Sequence, residues 1–315
     1  MRREVLLFFS AHFVCSVLGQ VISYSIPEEM AKGSLVGNVA QDLGLDVKRL
    51  RLGNGRVYSG DSSDYVELNA ERGVLLVKER IDREALCGDT TPCALHFQIV
   101  LENPMEFYSV TVEITDINDN APTFEKTEIK FMISETAAIG ATFDLERAVD
   151  LDVGINTLQT YVLKPTVYFV LKLQNQADGT KNVEMVLQKP LDREKNEFIS
   201  LVLTAVDGGE PQMTGTMQIL ITVLDANDNA PVFTQPVYKA TVSENSAKGT
   251  VVTAVSASDA DQGLNSKITY SITSTMDEVR QIFEVNEENG EVTLIGRLDY
   301  EKKKLFQINV RARDN

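Results

Sequence analysis

Two copies of one short string decide the fold of this 315-residue chain: Asp116–Pro122 reads DINDNAP, and Asp225–Pro231 reads DANDNAP. Other strings recur at the same interval of about 110 residues. A Glu followed five residues later by Gly occurs at Glu28, Glu135 and Glu244. A Leu/Ile-Asp-Arg-Glu string begins at Ile81, Leu191 and Leu298, and its last copy has Tyr for Arg. An Asp-x-Asp-x-Gly-x-Asn string begins at Asp150 and Asp259. A unit of this length matches one compact domain and is far too long for a solenoid repeat. The chain is therefore predicted to be a series of similar domains.

Apolar residues alternate within each repeat, which is the period-2 pattern of a strand with one buried face. The alternation precedes each repeated Glu, over 22–26, 129–133 and 238–242, and it recurs over 108–114 and 306–312. No long stretch has the apolar period of a helix. We therefore expect an all-β protein of tandem sandwiches with short strands and Gly/Asp/Asn turns. Antibody-type domains are disfavoured, because the chain has no Trp and no Cys pair spaced to bridge two sheets.

Segment 1–19 has the composition of a secretory signal peptide, since Arg2 and Arg3 precede an apolar run that ends in small residues. A membrane anchor is the alternative, but an apolar run of roughly 14 residues is short for a span. No later segment is long enough to cross a bilayer, so membrane anchoring would depend on segments absent from this chain. The mature product is expected to be extracellular, and secreted as written.

The repeats place domains at 20–121, 122–230 and 231–315. The third domain is expected to lack its last strand, because a third copy of the opening string would fall beyond Asn315. Its sheet should then have an unpaired edge.

The two cysteines that follow the signal are predicted to form one disulfide. Cys15 leaves with the signal, so Cys87 and Cys93 remain as an even pair in an oxidising compartment. A metal or redox role is the alternative, but there is no second Cys pair, and His96 is the only His nearby.

Acidic residues dominate the repeated strings, in a chain whose net charge is −16. That charge argues against a nucleic-acid partner, because phosphate binding needs clustered Lys and Arg. The acids fall at strand ends and in the connections, where side chains of two domains can converge. For the first junction the candidate carboxylates are Glu28, Asp82, Glu84, Asp116, Asp119, Asp150, Asp152 and Asp207.

Such a group of carboxylates requires counter-charge. Two of them about 4 Å apart repel by roughly 4 kcal/mol at an effective dielectric constant near 20. Ca²⁺ fits best, because it takes about six to eight oxygen ligands in flexible geometry. Mg²⁺ prefers a stricter octahedron, and Zn²⁺ prefers His or Cys. Neutral oxygens are available from the side-chain amides of Asn118, Asn120 and Asn156 and from the backbone carbonyl of Ile117.

Combined with Ala205-Val206-Asp207, these strings resemble the calcium motifs of cadherin repeats over the whole chain after the signal. A narrower resemblance is to the clustered protocadherins, and within them to gamma-like members. It is carried by Tyr24–Glu29, by Asp42–Leu45 and by the Cys87 and Cys93 pair. The resemblance implies a linear rod of tandem Greek-key cadherin repeats with several Ca²⁺ ions at each junction.

The resemblance also assigns ligands to the later junctions. For the second junction it implies Glu135, Asp192, Glu194, Asp225, Ala226, Asn227, Asp228, Asn229, Asp259, Asp261, Asn265 and Asp314. Half of a third junction is implied at Glu244, Asp299 and Glu301.

The function implied by the resemblance is calcium-dependent cell–cell adhesion, homophilic in trans, with the same or a related protocadherin on an apposed cell as the partner. Family members recognise each other through their first four repeats, so a chain with two complete repeats is expected to self-associate weakly or not at all. A secreted binding or decoy ectodomain is the alternative. A glycosidase with paired carboxylates is disfavoured, because the acids recur once per domain and an active site is a single asymmetric set.

Overall fold

The computed structural model describes residues 21–58, 64–175, 181–273 and 277–314. The predicted signal peptide and Cys15 lie outside these ranges. Among the described residues, no helix is both long enough and apolar enough to span a membrane. Strands dominate all three repeats, which confirms the all-β prediction.

The first repeat is a sandwich of two sheets. Its strands are β1 (Val21–Pro27), β2 (Leu35–Gly37), β3 (Arg56–Tyr58), β4 (Val66–Asn69), β5 (Val74–Val77), β6 (Cys93–Leu101) and β7 (Glu106–Thr115). One sheet has the order β1-β7-β6-β3, and the other has the order β2-β5-β4. Leu75, Ile99 and Val112 are fully buried between the sheets. The predicted alternation holds in β7, where Val110 and Ile114 face the same core.

Three short helices in the first repeat were missed by the sequence prediction: α1 (Val39–Asp42), α2 (Val47–Leu52) and α3 (Arg83–Cys87). They are too short to show a helical apolar period. Each begins after a residue whose side chain accepts a hydrogen bond from a backbone N–H of the first turn, namely Asn38, Asp46 and Asp82. These N-caps were the available signal.

The second repeat also has two sheets. Its strands are β8 (Glu128–Ser134), β9 (Thr142–Asp144), β10 (Leu158–Lys164), β11 (Phe169–Asn175), β12 (Lys181–Leu187), β13 (Phe198–Asp207) and β14 (Thr214–Leu224). The sheet orders are β10-β13-β14-β8 and β11-β12-β9. Strand β8 pairs with β14 in parallel, as β1 does with β7, so the first and last strands of both repeats are neighbours.

The third repeat contains shorter elements. They are β15 (Val232–Phe233), β16 (Val251–Ala254), β17 (Ala257–Ser258), β18 (Thr269–Ile272), α4 (Asp277–Ile282), β19 (Phe283–Val285), β20 (Glu291–Leu294) and β21 (Val310–Arg313). The sheets are β16-β20-β19 with the two-stranded β15-β17 and β18-β21. Val279, Val292 and Leu294 form the centre of its core.

The prediction of a strand over 238–242 was wrong, and only the end of the stretch 306–312 forms one, as β21. The corresponding strands β1 and β8 are held by parallel pairing with β7 and β14. No strand among the described residues pairs with 238–242 in this way. Instead these residues border a groove of about 970 Å³, which Phe306 and Ile308 also line. Apolar alternation alone does not form a strand where backbone partners are missing.

The chain divides into two compact units, each described by itself. The described residues of the first unit fall within Met1–Phe124, Ala148–Tyr161 and Thr204–Gly215, and those of the second fall within Glu125–Arg147, Val162–Leu203 and Thr216–Asn315. Each unit contains one complete set of the predicted junction residues.

Candidate metal centres

The first unit brings carboxylates of the first predicted junction together. One oxygen each of Glu28, Glu84 and Asp116 lies within 4.8 Å of the others, and the same holds for Glu84, Asp119 and Asp152. Glu84 belongs to both groups. We call these five residues the first cluster.

Strand pairing places the first cluster. Pro27 and Thr115 are opposite each other at the ends of β1 and β7, so Glu28 and Asp116, which follow directly, start from neighbouring backbone positions. Glu84 is contributed by α3. The parallel pairing of two strands that lie at opposite ends of the repeat therefore explains why acids 88 residues apart in the chain meet.

Hydrogen bonds fix the carboxylates of the first cluster. Glu28 is 2% exposed and accepts from the backbone N–H of Arg83 at 2.6 Å and of Ile117 at 3.1 Å. Asp116 Oδ2 accepts from Asn156 Nδ2 at 2.9 Å. Asp152 Oδ1 accepts from Asn120 Nδ2 at 2.9 Å. The linker after β7 and the loop before β10 are thus joined through these acids.

Proton affinities in the first unit reflect burial and crowding. Burial raises the pKa of Glu84 to about 7, and the negative charge of Glu28 adds to the rise. Burial raises the pKa of Asp150 to about 6, and the charges of Asp152 and Asp207 contribute. Burial also raises the pKa of Asp152. Without a cation, these carboxylates resist ionisation.

The second unit repeats the arrangement. Glu135, Glu194 and Asp228 form one group, Glu194, Asp225 and Asp261 form another, and Asp259, Asp261 and Asp314 form a third, each with oxygens within 4.8 Å. We call these seven residues the second cluster. Glu135 directly follows β8, Asp225 follows β14 and Asp314 follows β21. Ser134 and Leu224 are opposite each other, as Pro27 and Thr115 are in the first repeat.

Hydrogen bonds in the second cluster correspond to those in the first. Glu135 accepts from the backbone N–H of Arg193 at 2.8 Å and of Ala226 at 2.7 Å. Asn265 Nδ2 donates to Asp225 Oδ2 at 2.8 Å. The two clusters are therefore built on one plan.

Two acids of the second cluster differ in pKa. Burial raises the pKa of Asp225, but hydrogen bonds from the Gln262 N–H and the Asn265 amide outweigh it, so the net pKa lies below the usual range. Desolvation raises the pKa of Asp228, and the charges of Glu135 and Glu194 add to the rise.

Several predicted ligands lie outside both clusters. Asp82 caps α3 by accepting from the Ala85 N–H at 2.7 Å, and Asp192 accepts from the Lys195 N–H at 3.0 Å. Asp207 is fully buried and accepts from the Met213 N–H at 2.9 Å. Asp is a common capping and turn residue, and the sequence prediction did not consider these local roles.

The remaining predicted ligands have the following positions. Asn118 Nδ2 donates to the Pro211 carbonyl at 2.6 Å, and Asn229 Nδ2 donates to Asp261 Oδ1 at 2.8 Å. Asp150 Oδ1 accepts from the Asp152 N–H at 3.2 Å, and Asn227 is exposed. The Ile117 carbonyl accepts from the Asp119 N–H at 3.0 Å, and the Ala226 carbonyl accepts from the Asp228 N–H at 2.9 Å. In the third repeat Glu244 is exposed and accepts from the Tyr300 N–H, while Asp299 pairs with Lys302. Among the described residues, Glu244, Asp299 and Glu301 belong to none of the carboxylate groups.

Orphaned oxygens test whether a hard cation suits these sites. Among the described residues, the buried side-chain oxygens without a hydrogen-bond partner are Glu84 Oε1, Asn118 Oδ1, Asp150 Oδ2 and Asp259 Oδ2. Of these, Glu84 Oε1 has an ion-pair contact with Arg83 Nε at 3.0 Å. All four belong to predicted ligands. Buried acceptors without partners are unfavourable unless a ligand, ion or water satisfies them. An all-oxygen donor set with several carboxylates matches Ca²⁺ and lacks the nitrogen and sulfur ligands that Zn²⁺ prefers.

Two arginines were missed as components of the centres. Arg83 Nε donates to Asp116 Oδ1 at 2.8 Å, and Arg193 Nε donates to Asp225 Oδ1 at 2.5 Å. The signal was present in the sequence, because both belong to the repeated Leu/Ile-Asp-Arg-Glu string. The third copy has Tyr300 at this position.

The disulfide prediction is confirmed. Cys87 and Cys93 are bonded, with their Cα atoms 5.8 Å apart. The bridge connects the end of α3 to the start of β6 and so closes the loop beside the first cluster.

Comparisons with known proteins agree with this architecture. Residues 21–103 match the family model described as cadherin-like, and residues 129–224 and 238–315 match that of the cadherin domain. Human protocadherin gamma-B3 is 46% identical over 313 residues, which is 99% of this chain and 34% of that protein. The chain thus spans about a third of the length of this curated relative.

Solved structures with similar folds come from the same group. The mouse clustered PcdhgC3 EC1-3 structure has 48% sequence identity and a TM-score of 0.83, covering 93% of this chain and 94% of that one. Protocadherin gamma C5 EC1-3 has 42% identity and a TM-score of 0.86 with the same coverage.

Proposed function

Because this chain belongs to the cadherin family, we propose that it binds Ca²⁺ at the two carboxylate clusters and acts in calcium-dependent cell–cell adhesion. The family consists of adhesion proteins of the cell surface and not of enzymes, so the glycosidase alternative is dropped. The similarity of this chain to clustered protocadherins of the gamma group extends over nearly its whole length.

One observation carries the proposal: the same arrangement of acids occurs twice. In both units an oxygen of the middle Glu, Glu84 or Glu194, lies within 4.8 Å of an oxygen of each of four other acids at equivalent positions. Those four are Glu28, Asp116, Asp119 and Asp152 in the first cluster and Glu135, Asp225, Asp228 and Asp261 in the second. A solvated acidic surface has no reason to repeat this geometry. The proposed ligands are the members of the two clusters together with Asp150, Asp207, Asn118, Asn120, Asn156, Asn227, Asn229 and Asn265, the carbonyls of Ile117 and Ala226, and Asp82 and Asp192 after a change of side-chain partner.

The residues of each centre have distinct roles in this mechanism. Glu28 and Glu135 accept backbone N–H groups and hold the linker that follows the last strand. Asn156 and Asn265 fasten that linker to the next loop. Bound Ca²⁺ would supply the positive charge that lets the acids ionise together and would cross-link them. The proposed result is a stiff connection between successive repeats, with boundaries at 20–121, 122–230 and 231–315.

We further propose that recognition is homophilic in trans, with the same or a related protocadherin on an apposed cell. The support is the similarity of this chain to protocadherin ectodomains. The comparisons do not favour the alternative of a secreted binding ectodomain.

A chimera tests the adhesion proposal. Residues 21–314 replace the matching part of human protocadherin gamma-B3, which is expressed on cells that do not otherwise adhere. We expect cells with the chimera to aggregate with each other in millimolar Ca²⁺ and to separate in EGTA. Aggregation that persists in EGTA would overturn the calcium dependence.

Two controls accompany the chimera. Mixing chimera cells with cells that carry unmodified gamma-B3 separates homophilic from promiscuous recognition, since the proposal predicts segregated aggregates. Beads coated with residues 21–314 alone should aggregate weakly or not at all. Strong Ca²⁺-dependent clustering of those beads would contradict the requirement for four repeats.

A further inference from the structure

A buried cation adjoins the first cluster. Arg83 is 1% exposed, and its Nε lies 2.8 Å from Asp116 Oδ1 and 3.0 Å from Glu84 Oε1. A buried guanidinium is costly unless it is paired and hydrogen-bonded, and here Nε and Nη1 have partners while Nη2 has none among the described residues. Its position therefore fixes where these two carboxylates can lie.

The other end of the same guanidinium is held by the disulfide loop, residues 87–93. Arg83 Nη1 donates to the Gly88 carbonyl at 3.2 Å and contacts the Thr90 carbonyl at 3.5 Å. Both carbonyls lie inside the loop that Cys87 and Cys93 close, with a sequence separation of 6. A closed loop this short has few backbone conformations, so its carbonyls form a fixed acceptor pair.

Among the described residues, the second cluster has no disulfide loop that holds its arginine. Arg193 makes the equivalent bond to Asp225, but its Nη2 donates to the Ala260 carbonyl at 2.8 Å and to Glu194. The chain has three cysteines, and none follows Cys93. The two centres therefore have carboxylates at equivalent positions, but different groups hold the arginine in each.

We propose that the disulfide loop is a positioning element of the first metal centre and acts through Arg83. The loop carbonyls hold the guanidinium, and the guanidinium orients Asp116 and Glu84, so opening the disulfide weakens Ca²⁺ binding at the first centre alone. This inference rests on the proposed function, because it assumes that the cluster binds a cation. Arg83 is a positioning residue and not a ligand. Removing a hydrogen-bond partner of a metal ligand lowers metal affinity by roughly 10–100-fold.

The opposite effect follows if Arg83 merely competes with the cation for Asp116. Releasing the guanidinium would then free a carboxylate and tighten binding. The direction of the change in Ca²⁺ affinity separates the two roles.

Hydrogen exchange measured by mass spectrometry gives the required site-resolved readout. Protection of the peptide that covers 116–120 reports the first centre, and protection of 225–229 reports the second, both during a Ca²⁺ titration. In the variant Cys87→Ser/Cys93→Ser, we expect the midpoint for 116–120 to rise about 10-fold. The midpoint for 225–229 should not change.

A double-mutant cycle tests the route through Arg83. Lysine keeps the charge but cannot bond Asp116 and the loop carbonyls together, so Arg83→Lys should raise the first midpoint to a similar extent. Adding the Cys87→Ser/Cys93→Ser change to Arg83→Lys should then have almost no further effect. The matched control is Arg193→Lys, in which opening the disulfide should keep its full effect on 116–120.

Failure of this inference can be told from failure of the proposed function. If wild-type protein shows no Ca²⁺-dependent protection at either peptide, both fall. If both peptides respond but an open disulfide leaves the first midpoint unchanged or lowers it, only this inference falls. Protection of β6 and β7 at saturating Ca²⁺ verifies folding, and Arg83→Lys with an intact loop keeps the test valid if the cysteine variant does not fold.

Discussion

Asn156 Nδ2 donates a hydrogen bond to Asp116 Oδ2 across 2.9 Å, although the two residues are 40 positions apart. Asn265 makes the same bond to Asp225 at 2.8 Å, with the same separation. In both cases the Asp directly follows the last strand of one repeat and the Asn belongs to a loop of the next. The amide thus joins the linker to that loop without any metal.

Substitution of Asn156 should therefore weaken the first centre selectively. Asn156→Ala leaves Asp116 without this donor and removes a proposed neutral ligand, so we expect Ca²⁺ affinity to fall about 10-fold. The measurement is a Ca²⁺ titration in an Asp225→Asn background, which disables the second centre. Asn182→Ala is the matched control, because its amide donates to Glu184, which belongs to neither cluster. Equal midpoints for Asn156→Ala and the control would contradict the assigned role.

Substitution of Glu28 should lower the stability of the metal-free protein. Glu28 is buried and accepts two backbone N–H bonds, and glutamine can satisfy only one of them. A hydrogen bond to a charged group contributes about 1.5–3 kcal/mol, so we expect Glu28→Gln to cost about 2 kcal/mol in the free energy of unfolding. Urea unfolding in EGTA measures it.

The control for Glu28 is Glu244→Gln. Glu244 occupies the same place in the third repeat but is exposed and accepts one N–H bond. Its substitution should change the free energy of unfolding by about 0.5 kcal/mol or less. A loss at Glu244 as large as the loss at Glu28 would show that burial in the cluster is not the cause.

The raised pKa values of Glu84, about 7, and of Asp150, about 6, predict an unusual pH dependence. Between an ordinary carboxyl pKa of about 4 and these values, the folded protein holds protons that the unfolded chain has released. The metal-free protein should therefore lose stability as the pH rises through this interval. Calorimetry without metal should give a higher melting temperature at pH 5.5 than at pH 7.5.

Saturating Ca²⁺ should reverse that trend, because binding the cation requires ionised carboxylates. Glu84→Gln should reduce the pH dependence of the metal-free protein. A melting temperature that rises from pH 5.5 to 7.5 without metal would contradict the crowding of these acids.

The sequence predicted the acids that strand pairing brings together. Glu28 and Asp116 were identified because their strings recur, and parallel pairing of β1 with β7 places them side by side. The recurrence could not show which acids serve local structure, so Asp82 and Asp192 were treated as equal members. Both accept hydrogen bonds from nearby backbone N–H groups, and their role as metal ligands stays a prediction.

Features that depend on residues distant in the chain could not be predicted from the sequence alone. The alternating residues 238–242 look the same as those of β1, but no described strand pairs with them. Arg83 was read as part of a string and received no role, because its burial between a carboxylate and the disulfide loop is a tertiary property. Predictions from periodicity and spacing are thus reliable only where the partner is also known.

Calorimetric titration of the metal-free protein with Ca²⁺ tests the central claim most directly. Extracellular modules bind Ca²⁺ with dissociation constants of about 10⁻⁴ to 10⁻³ M, and we predict saturable binding in that range. Asp116→Asn and Asp225→Asn should each remove part of the bound Ca²⁺, and the double variant should remove most of it. Absence of saturable binding in the wild-type protein, or unchanged binding in the double variant, would contradict the claim that these carboxylate clusters are metal centres.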